Sequence, residues 1–238
     1  YQENKGLINT IASEINIPNF SFKKADNDML VKAYKPQTTS KTYIKETSQP
    51  QYSVLYSAKT NCNKEDEVKF ELLNYILKER IFNSLREHYG FGYQAGSKSN
   101  YMGDMFLITP YIVTDHVDSE TVQKIYSQFD VEIKKLMQEA ISPEELKNAK
   151  NSLKMIYSDI SESNIGLREF IMGNLEYPSG LYQTQRLFKI IDSITPDDIS
   201  KTANYVFKDK PQYLVDTTKA GIDNNLEYFK TLSDSVIQ

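Results

Sequence analysis

A long helix that is apolar on two sides is the strongest structural signal in this sequence. Apolar residues recur at helical spacing from about Asp66 to His88. One stripe comprises Val68, Leu72, Tyr75, Ile76, Phe82, Leu85 and Tyr89, and a second comprises Phe70, Leu73, Leu77 and Ile81. A helix that is apolar on more than one side is buried between layers. We therefore expect this helix to be the central helix of the domain.

A glycine-rich turn follows the helix and carries the candidate site. Gly90-Phe91-Gly92 separates Arg86 at the helix end from Tyr93, which lies in a predicted strand. The turn should point the guanidinium and the phenol hydroxyl out of the same corner of a sheet. Both groups donate hydrogen bonds, and arginine stays charged at any working pH. The pair therefore suits an oxyanion or a peptide carbonyl.

Purely structural roles are the alternative for these residues. An arginine at a helix C-terminus interacts favourably with the helix dipole, and a tyrosine at the start of a strand is common. His88 lies two residues after Arg86 and fits a solvated or helix-capping histidine as well as a substrate contact.

The other predicted elements describe a layered domain. Their order is strand, long helix, hairpin, two or three helices and strand, with a terminal helix after the last strand. They cover about residues 52–58, 66–88, 91–97, 105–114, 122–137, 143 onward, 182–191, 196 onward, 212–217 and 226–236. Pro110 cannot donate to a ladder, so it predicts an edge strand or a bulge.

This order predicts an α+β fold, with a mostly antiparallel β-sheet and helices packed on one face. Residues 1–40 are weakly patterned and are interpreted as a lead-in or linker segment from a preceding domain. Residues 41–238 form the main domain in this prediction. The chain begins at Tyr1, without a methionine or a signal-peptide pattern, which is typical of a processed or excised piece.

Composition narrows the classes of function. The formal net charge of −4 gives no reason to expect a nucleic-acid partner. No apolar run reaches the length of about 20 residues that spans a bilayer. Cys62 is the single cysteine, which excludes a disulfide framework within the chain. Cysteine usage leaves the compartment open between the bacterial periplasm and the cytoplasm.

Two helix starts carry capping patterns. Ser142 is predicted as an N-cap, with Pro143 at the first helical position and Glu145 closing a capping box. The segment 194–199 repeats the pattern, with Asp198 as the acidic residue. His116 lies among acidic residues that could attract a metal, but acidic residues before a helix are usually caps.

Four segments in this order resemble the pitrilysin/insulysin (inverzincin) zinc peptidases, a family that includes the mitochondrial processing peptidases. The most specific is Leu85-Arg86 followed by Gly92-Tyr93. The supporting segments are Ile112-Val113-Thr114-Asp115, Ile141-Ser142-Pro143-Glu144-Glu145-Leu146 and Ile194-Thr195-Pro196-Asp197-Asp198-Ile199. The resemblance covers about residues 45–217.

The resemblance implies the non-catalytic ("inactive") domain of such an enzyme. In that family two related domains face each other around a peptide-binding chamber, and one carries the zinc motif H-x-x-E-H. This sequence has no H-x-x-E-H. Arg86 and Tyr93 would bind the backbone and oxyanion of the substrate in trans, with Phe91 and Gly92 beside it.

The resemblance also sets expectations for cofactor and partners. No metal is expected in this chain, and zinc is expected in a partner domain that carries H-x-x-E-H. That partner would be part of the same longer polypeptide or a separate subunit. The substrate would be an extended peptide, and this chain alone would be inactive as a peptidase.

Two other classes remain open. The first is a catalytically inert scaffold of the same fold, which would bind extended peptides or proteins by strand addition at a sheet edge. The second is an autonomous metalloenzyme that uses His88 or His116.

Overall fold

The computed structural model describes residues 38–60, 64–102, 105–162 and 184–237. These described residues belong to one compact unit. Most of the predicted lead-in segment 1–40, together with Cys62, lies outside the described residues. The strands are β1 (Lys41–Glu46), β2 (Gln51–Lys59), β3 (Gln94–Met102), β4 (Met105–Val113), β5 (Gln212–Thr217) and β6 (Ser235–Ile237). The helices are α1 (Lys64–Ile81), α2 (Ser119–Gln138), α3 (Pro143–Glu162), α4 (Thr184–Ser193), α5 (Pro196–Val206) and α6 (Lys219–Thr231).

The described strands form a six-stranded mixed sheet in the order β3-β4-β2-β5-β1-β6. The pairings of β2 with β4, β2 with β5 and β3 with β4 are antiparallel. Strand β1 pairs in parallel with both β5 and β6. The predicted α+β class is confirmed, and the sheet is mostly but not purely antiparallel because of β1.

The helices cover one face of the sheet, as predicted. Along β2 the residues Tyr52, Val54, Tyr56 and Ala58 are buried, whereas Leu55 and Ser57 of the opposite face are partly exposed. Residues directly opposite each other in neighbouring strands share a face. The buried face therefore extends through the partners of these residues in β4 and β5.

Helix α1 is the central helix. Most residues of the two predicted apolar stripes are buried, and Tyr75, Phe82 and Tyr89 are half-buried. Leu72, Leu73, Leu77 and Ile81 have no exposed surface. The ring of Phe70 stacks on Phe106 of β4 with centroids 4.6 Å apart. On its other sides α1 contacts α2, α3 and α5. None of the described helices is long and apolar enough to cross a membrane.

Pro110 lies in an interior strand, so the prediction of an edge or a bulge is wrong. Strand β4 pairs with β3 through Pro110 and with β2 on its other side. Pro110 and Thr109 have no partner in the pairing of β4 with β2, and the register is the same on both sides of this gap. The missing N–H of proline is therefore accommodated by a local loss of pairing.

The end of the chain also differs from the prediction. The sequence predicts a terminal helix at about residues 226–236. Helix α6 begins earlier, because the side chain of Thr218 caps it by accepting from the backbone N–H of Gly221. The chain then leaves the helix and pairs β6 with β1.

The two capping predictions have different outcomes. Thr195 and Asp198 form the reciprocal capping box, and the hydrogen bonds from Thr195 lower the pKa of Asp198. At α3, Ser142 caps the helix by accepting from the backbone N–H of Glu145 at 3.1 Å. The carboxylate of Glu145, however, accepts two hydrogen bonds from Arg80 of α1, at 2.7 and 2.9 Å. This bidentate pair joins the central helix to α3.

We expect Glu145→Gln to lower the free energy of unfolding by about 1–3 kcal/mol, because it leaves the partly buried guanidinium of Arg80 without its charged partner. Glu144→Gln is the matched control, since Glu144 is exposed in the same helical turn and has the same relation to the helix dipole. Urea unfolding of the native polypeptide measures both. Equal losses in the two variants would show that the ion pair contributes nothing.

Candidate functional site

Several connections meet at one end of the sheet, where the predicted site lies. Val113, the last residue of β4, pairs with the first residue of β2 and with the first residue of β3. The β1–β2 loop (47–50), the turn before β3 (89–93) and the loop after β4 (114–118) therefore lie at this end. The predicted site residue Tyr93 belongs to the 89–93 turn.

The central helix ends in a π-helical segment, Phe82–His88. The backbone N–H of Tyr89 donates to the carbonyl of Ser84 at 3.1 Å, five residues earlier in the chain. The helix therefore extends to His88, as predicted, and its last two turns are π-helical, which the sequence pattern did not indicate. The wider helix changes the directions of the side chains here, and π-helical turns are frequent at functional sites.

Gly90 ends the helix in the left-handed conformation, with φ of +66°. Its N–H donates to the carbonyl of Arg86 at 3.1 Å, and the N–H of Phe91 donates to the carbonyl of Leu85 at 2.9 Å. Each bond spans one residue more than its counterpart in the Schellman motif, in keeping with the π-helical turn. These bonds fix the start of the 89–93 turn.

Gly92 and Phe91 attach the turn to the end of β4. A Cβ atom on Gly92 would lie 2.3 Å from the carbonyl oxygen of Val113, so no larger residue fits here without movement of the backbone. The hydroxyl of Thr114 donates to the carbonyl of Phe91. The same hydroxyl accepts from the N–H of His116 at 3.0 Å. The turn is therefore held to the loop 114–118.

Tyr93 presents its hydroxyl at this end of the sheet. The residue is 48% exposed. The amide nitrogen of Gln49 donates to its phenol oxygen at 3.3 Å. Because the oxygen is the acceptor in this contact, the hydroxyl hydrogen is left for another acceptor, and no contact among the described residues uses it. The side chain can therefore donate to a ligand without first breaking a bond.

Arg86 is also accessible, and its side chain is 46% exposed. The guanidinium lies 4.9 Å above the ring of Phe82, one helical turn earlier. Its closest carboxylate oxygen among the described contacts is on Glu87, 3.6 Å from Nε, which is too long for a good hydrogen bond. The ring supports the cation and leaves its donors available.

The predicted site residues thus share one end of the fold but play different parts. Arg86 and Tyr93 are exposed donors, and no described contact joins them directly. Phe91 is half-buried, with its ring stacked on that of Tyr89 at 5.0 Å. Gly92 contributes backbone and the absence of a side chain.

The two histidines show structural contacts. His88 is exposed and lies edge-on to Tyr89, with centroids 4.5 Å apart. His116 Nδ1 lies 3.5 Å from Asp118. Asp118 caps α2, and the hydrogen bond from the N–H of Thr121 lowers its pKa. Within the described ranges no group of three or more His, Cys, Asp and Glu side chains could hold a metal ion.

Comparison with known proteins shows the family of this chain. The sequence matches the family described as the peptidase M16 inactive domain over residues 5–153. The chain belongs to this family. The match begins within the predicted lead-in segment 1–40, whose separation from the main domain stays a prediction.

Individual relatives agree with this assignment. The chain is 28% identical over 132 residues to an uncharacterized zinc protease of Rickettsia felis, covering 55% of this chain and 31% of that protein. A peptidase M16 inactive domain from Pseudomonas fluorescens has the same fold, with a TM-score of 0.62, 16% identity and coverage of 78% and 45% of the two chains. The first half of the periplasmic protease PqqL from Escherichia coli gives a TM-score of 0.67, 9% identity and coverage of 83% and 47%. The chain spans less than half the length of each of these proteins.

Sequence reasoning missed the groups that orient the predicted residues. Gln49 comes from a loop that is distant in sequence, and Thr114 acts through its side chain on a backbone carbonyl. No local pattern reports such long-range contacts. Gly90 and Gly92 were the only local signals that the backbone has unusual requirements here.

We expect Gly92→Ala to destabilise the protein by about 1–3 kcal/mol, because the new methyl group meets a backbone carbonyl that cannot rotate away. Gly90→Ala is the control: it strains a left-handed residue but meets no neighbouring atom within 4 Å. Urea unfolding compares the two. The attachment of the turn to β4 is contradicted if Gly92→Ala is no more harmful than Gly90→Ala.

Proposed function

We propose that this chain is the non-catalytic half of a zinc-dependent endopeptidase, and that Arg86 and Tyr93 bind the substrate backbone beside a zinc site in another domain. Membership of the inactive-domain family supports the first part. A relative described as a zinc protease supports the reaction class. The single observation that carries the proposal for the site is the exposed Tyr93 hydroxyl with its hydrogen uncommitted.

The two donors have separate tasks in this proposal. Tyr93 donates to the oxygen of the carbonyl that is attacked, where negative charge develops in the tetrahedral intermediate. Arg86 holds a neighbouring peptide carbonyl of the extended substrate, since its fork of donors remains charged. Donors already in place stabilise the transition state without reorganising during the reaction.

The groups required to hold zinc are assigned to a partner domain with an H-x-x-E-H motif. The described residues of this chain offer no set of side chains that fits zinc. When bound in the partner, zinc supplies polarisation of the carbonyl and an activated water. The partner is fused in the same longer polypeptide or is a separate subunit.

Phe91 and Gly92 shape the surface beside the substrate. Gly92 lets the turn lie directly against the carbonyl of Val113, and this close packing sets the position of the neighbouring Tyr93 beside the substrate. Phe91 holds its ring against Tyr89 on one side of the turn. The substrate class is an extended peptide that is recognised mainly through its backbone.

We expect Tyr93→Phe to lower kcat by about 10²–10³-fold while KM changes little, because the lost hydrogen bond forms chiefly in the transition state. Cleavage of an unstructured fluorogenic peptide by the native polypeptide or complex measures this effect. Tyr43→Phe is the matched control, since Tyr43 is an exposed tyrosine of β1.

Three outcomes are informative. Zinc-dependent cleavage that is lost in Tyr93→Phe and kept in Tyr43→Phe supports the proposal. Unchanged turnover in Tyr93→Phe contradicts the role of the phenol. A native protein that binds the peptide but never cuts it favours the inert scaffold.

A further inference from the structure

We propose that a cleft beside the 89–93 turn binds a large aromatic side chain of the substrate peptide, one or two residues from the bond that is cut. The inference rests on the proposed function and adds a side-chain preference to it. The cleft has a volume of about 650 Å³. It lies between the turn, the first turns of α2, and Tyr228 of α6.

One wall of the cleft is a fixed aromatic pair. The rings of Tyr89 and Phe91 are stacked, with an interplanar angle of 9°. Lys124 Nζ lies 5.2 Å from the centre of the Tyr89 ring, and the amide of Gln128 donates to the Tyr89 hydroxyl at 3.5 Å. The backbone of Phe91 is bonded on both sides, to Leu85 and Thr114. A wall held in place before binding reduces the entropy that a ligand must overcome.

The remaining lining favours an aromatic occupant over a charged one. Tyr228 provides a third, half-buried ring. The charged side chains, Glu120 and Lys124, have opposite signs, so an ion of either sign is attracted by one and repelled by the other. An aromatic ring can stack on the wall or meet it edge-on. Such aromatic contacts stabilise a complex by more than the burial of the ring surface alone. The other lining residues are the polar side chains Thr121, Gln123 and Ser127.

The cleft is close in sequence to Tyr93, because Phe91 is one of its lining residues. Phe91 precedes Tyr93 by two residues, a separation of at most about 7 Å along the chain. An extended peptide advances about 3.3 Å per residue. On this spacing we infer that, when a peptide carbonyl meets the Tyr93 hydroxyl, the side chain that enters the cleft belongs to a residue one or two positions away.

The test fills the cleft from a position that contacts neither donor. Ser127 is exposed on α2 and lines the cleft, so Ser127→Trp fills it from α2 and leaves the sequence of the 89–93 turn unchanged. Gln138→Trp is the control, because Gln138 is exposed at the far end of the same helix. The probes are fluorogenic peptides that differ only in having Phe or Ala near the cleaved bond, assayed with the native polypeptide or complex.

We expect wild type to prefer the Phe peptide by about tenfold or more in kcat/KM, a discrimination that one side-chain pocket can supply. Ser127→Trp should bring the kcat/KM of the Phe peptide down to that of the Ala peptide. Gln138→Trp should behave as wild type. Equal rates for the two peptides with wild type would overturn the inference.

The failure of this inference is distinguishable from failure of the proposed function. If Tyr93→Phe abolishes turnover and Ser127→Trp leaves the Phe preference intact, the proposed role of the cleft is contradicted and the proposed function is supported. If the native protein binds peptides without cutting them, fluorescence anisotropy with the same peptides measures whether binding prefers Phe over Ala. Loss of the Phe preference in binding on Ser127→Trp supports the cleft, and an unchanged preference overturns it.

Discussion

The close approach of Gly92 to the carbonyl of Val113 is the constraint on which the whole site depends. With no side chain at residue 92, the turn after the central helix lies directly against the end of β4. The hydroxyl of Thr114 then reaches the carbonyl of Phe91 and ties the turn to the next loop. Because the turn is attached to an interior strand, the sheet holds Tyr93 in position.

The central helix supplies the second half of this arrangement. Its apolar sides are buried by the sheet and by other helices, so its end is fixed in space. The π-helical turns then set the direction in which Arg86 leaves the helix, over the ring of Phe82. The 89–93 turn, which follows directly, places Tyr89 and Phe91 in the wall of the cleft. One short segment thus orients the proposed backbone contacts and the proposed side-chain contact.

Local signals allowed much of the fold to be predicted. The apolar stripes of α1, the capping box at Thr195 and the last major strand all depend on residues close in sequence. Strand β1 was missed because it buries little more than Thr42 and Ile44, and its partners follow it by more than 150 residues. The carboxylate of Glu145 is bonded to Arg80 and does not close the predicted capping box. Local spacing cannot reveal this partner, because Arg80 is distant in sequence. The π-helical end of α1 and the Gln49 contact were missed for the same reason, whereas the exposure of Arg86 and Tyr93 followed from the turn.

The most direct test of the central claim is a crystal structure of the native polypeptide, or of its complex, with a phosphinic peptide that mimics the tetrahedral intermediate. The account predicts that the Tyr93 hydroxyl donates to a phosphinate oxygen at about 2.5–3.0 Å, the ordinary range for such bonds. It also predicts that the guanidinium of Arg86 contacts a neighbouring peptide carbonyl. A bound inhibitor with Tyr93 still facing Gln49 and remote from the phosphinate would contradict it.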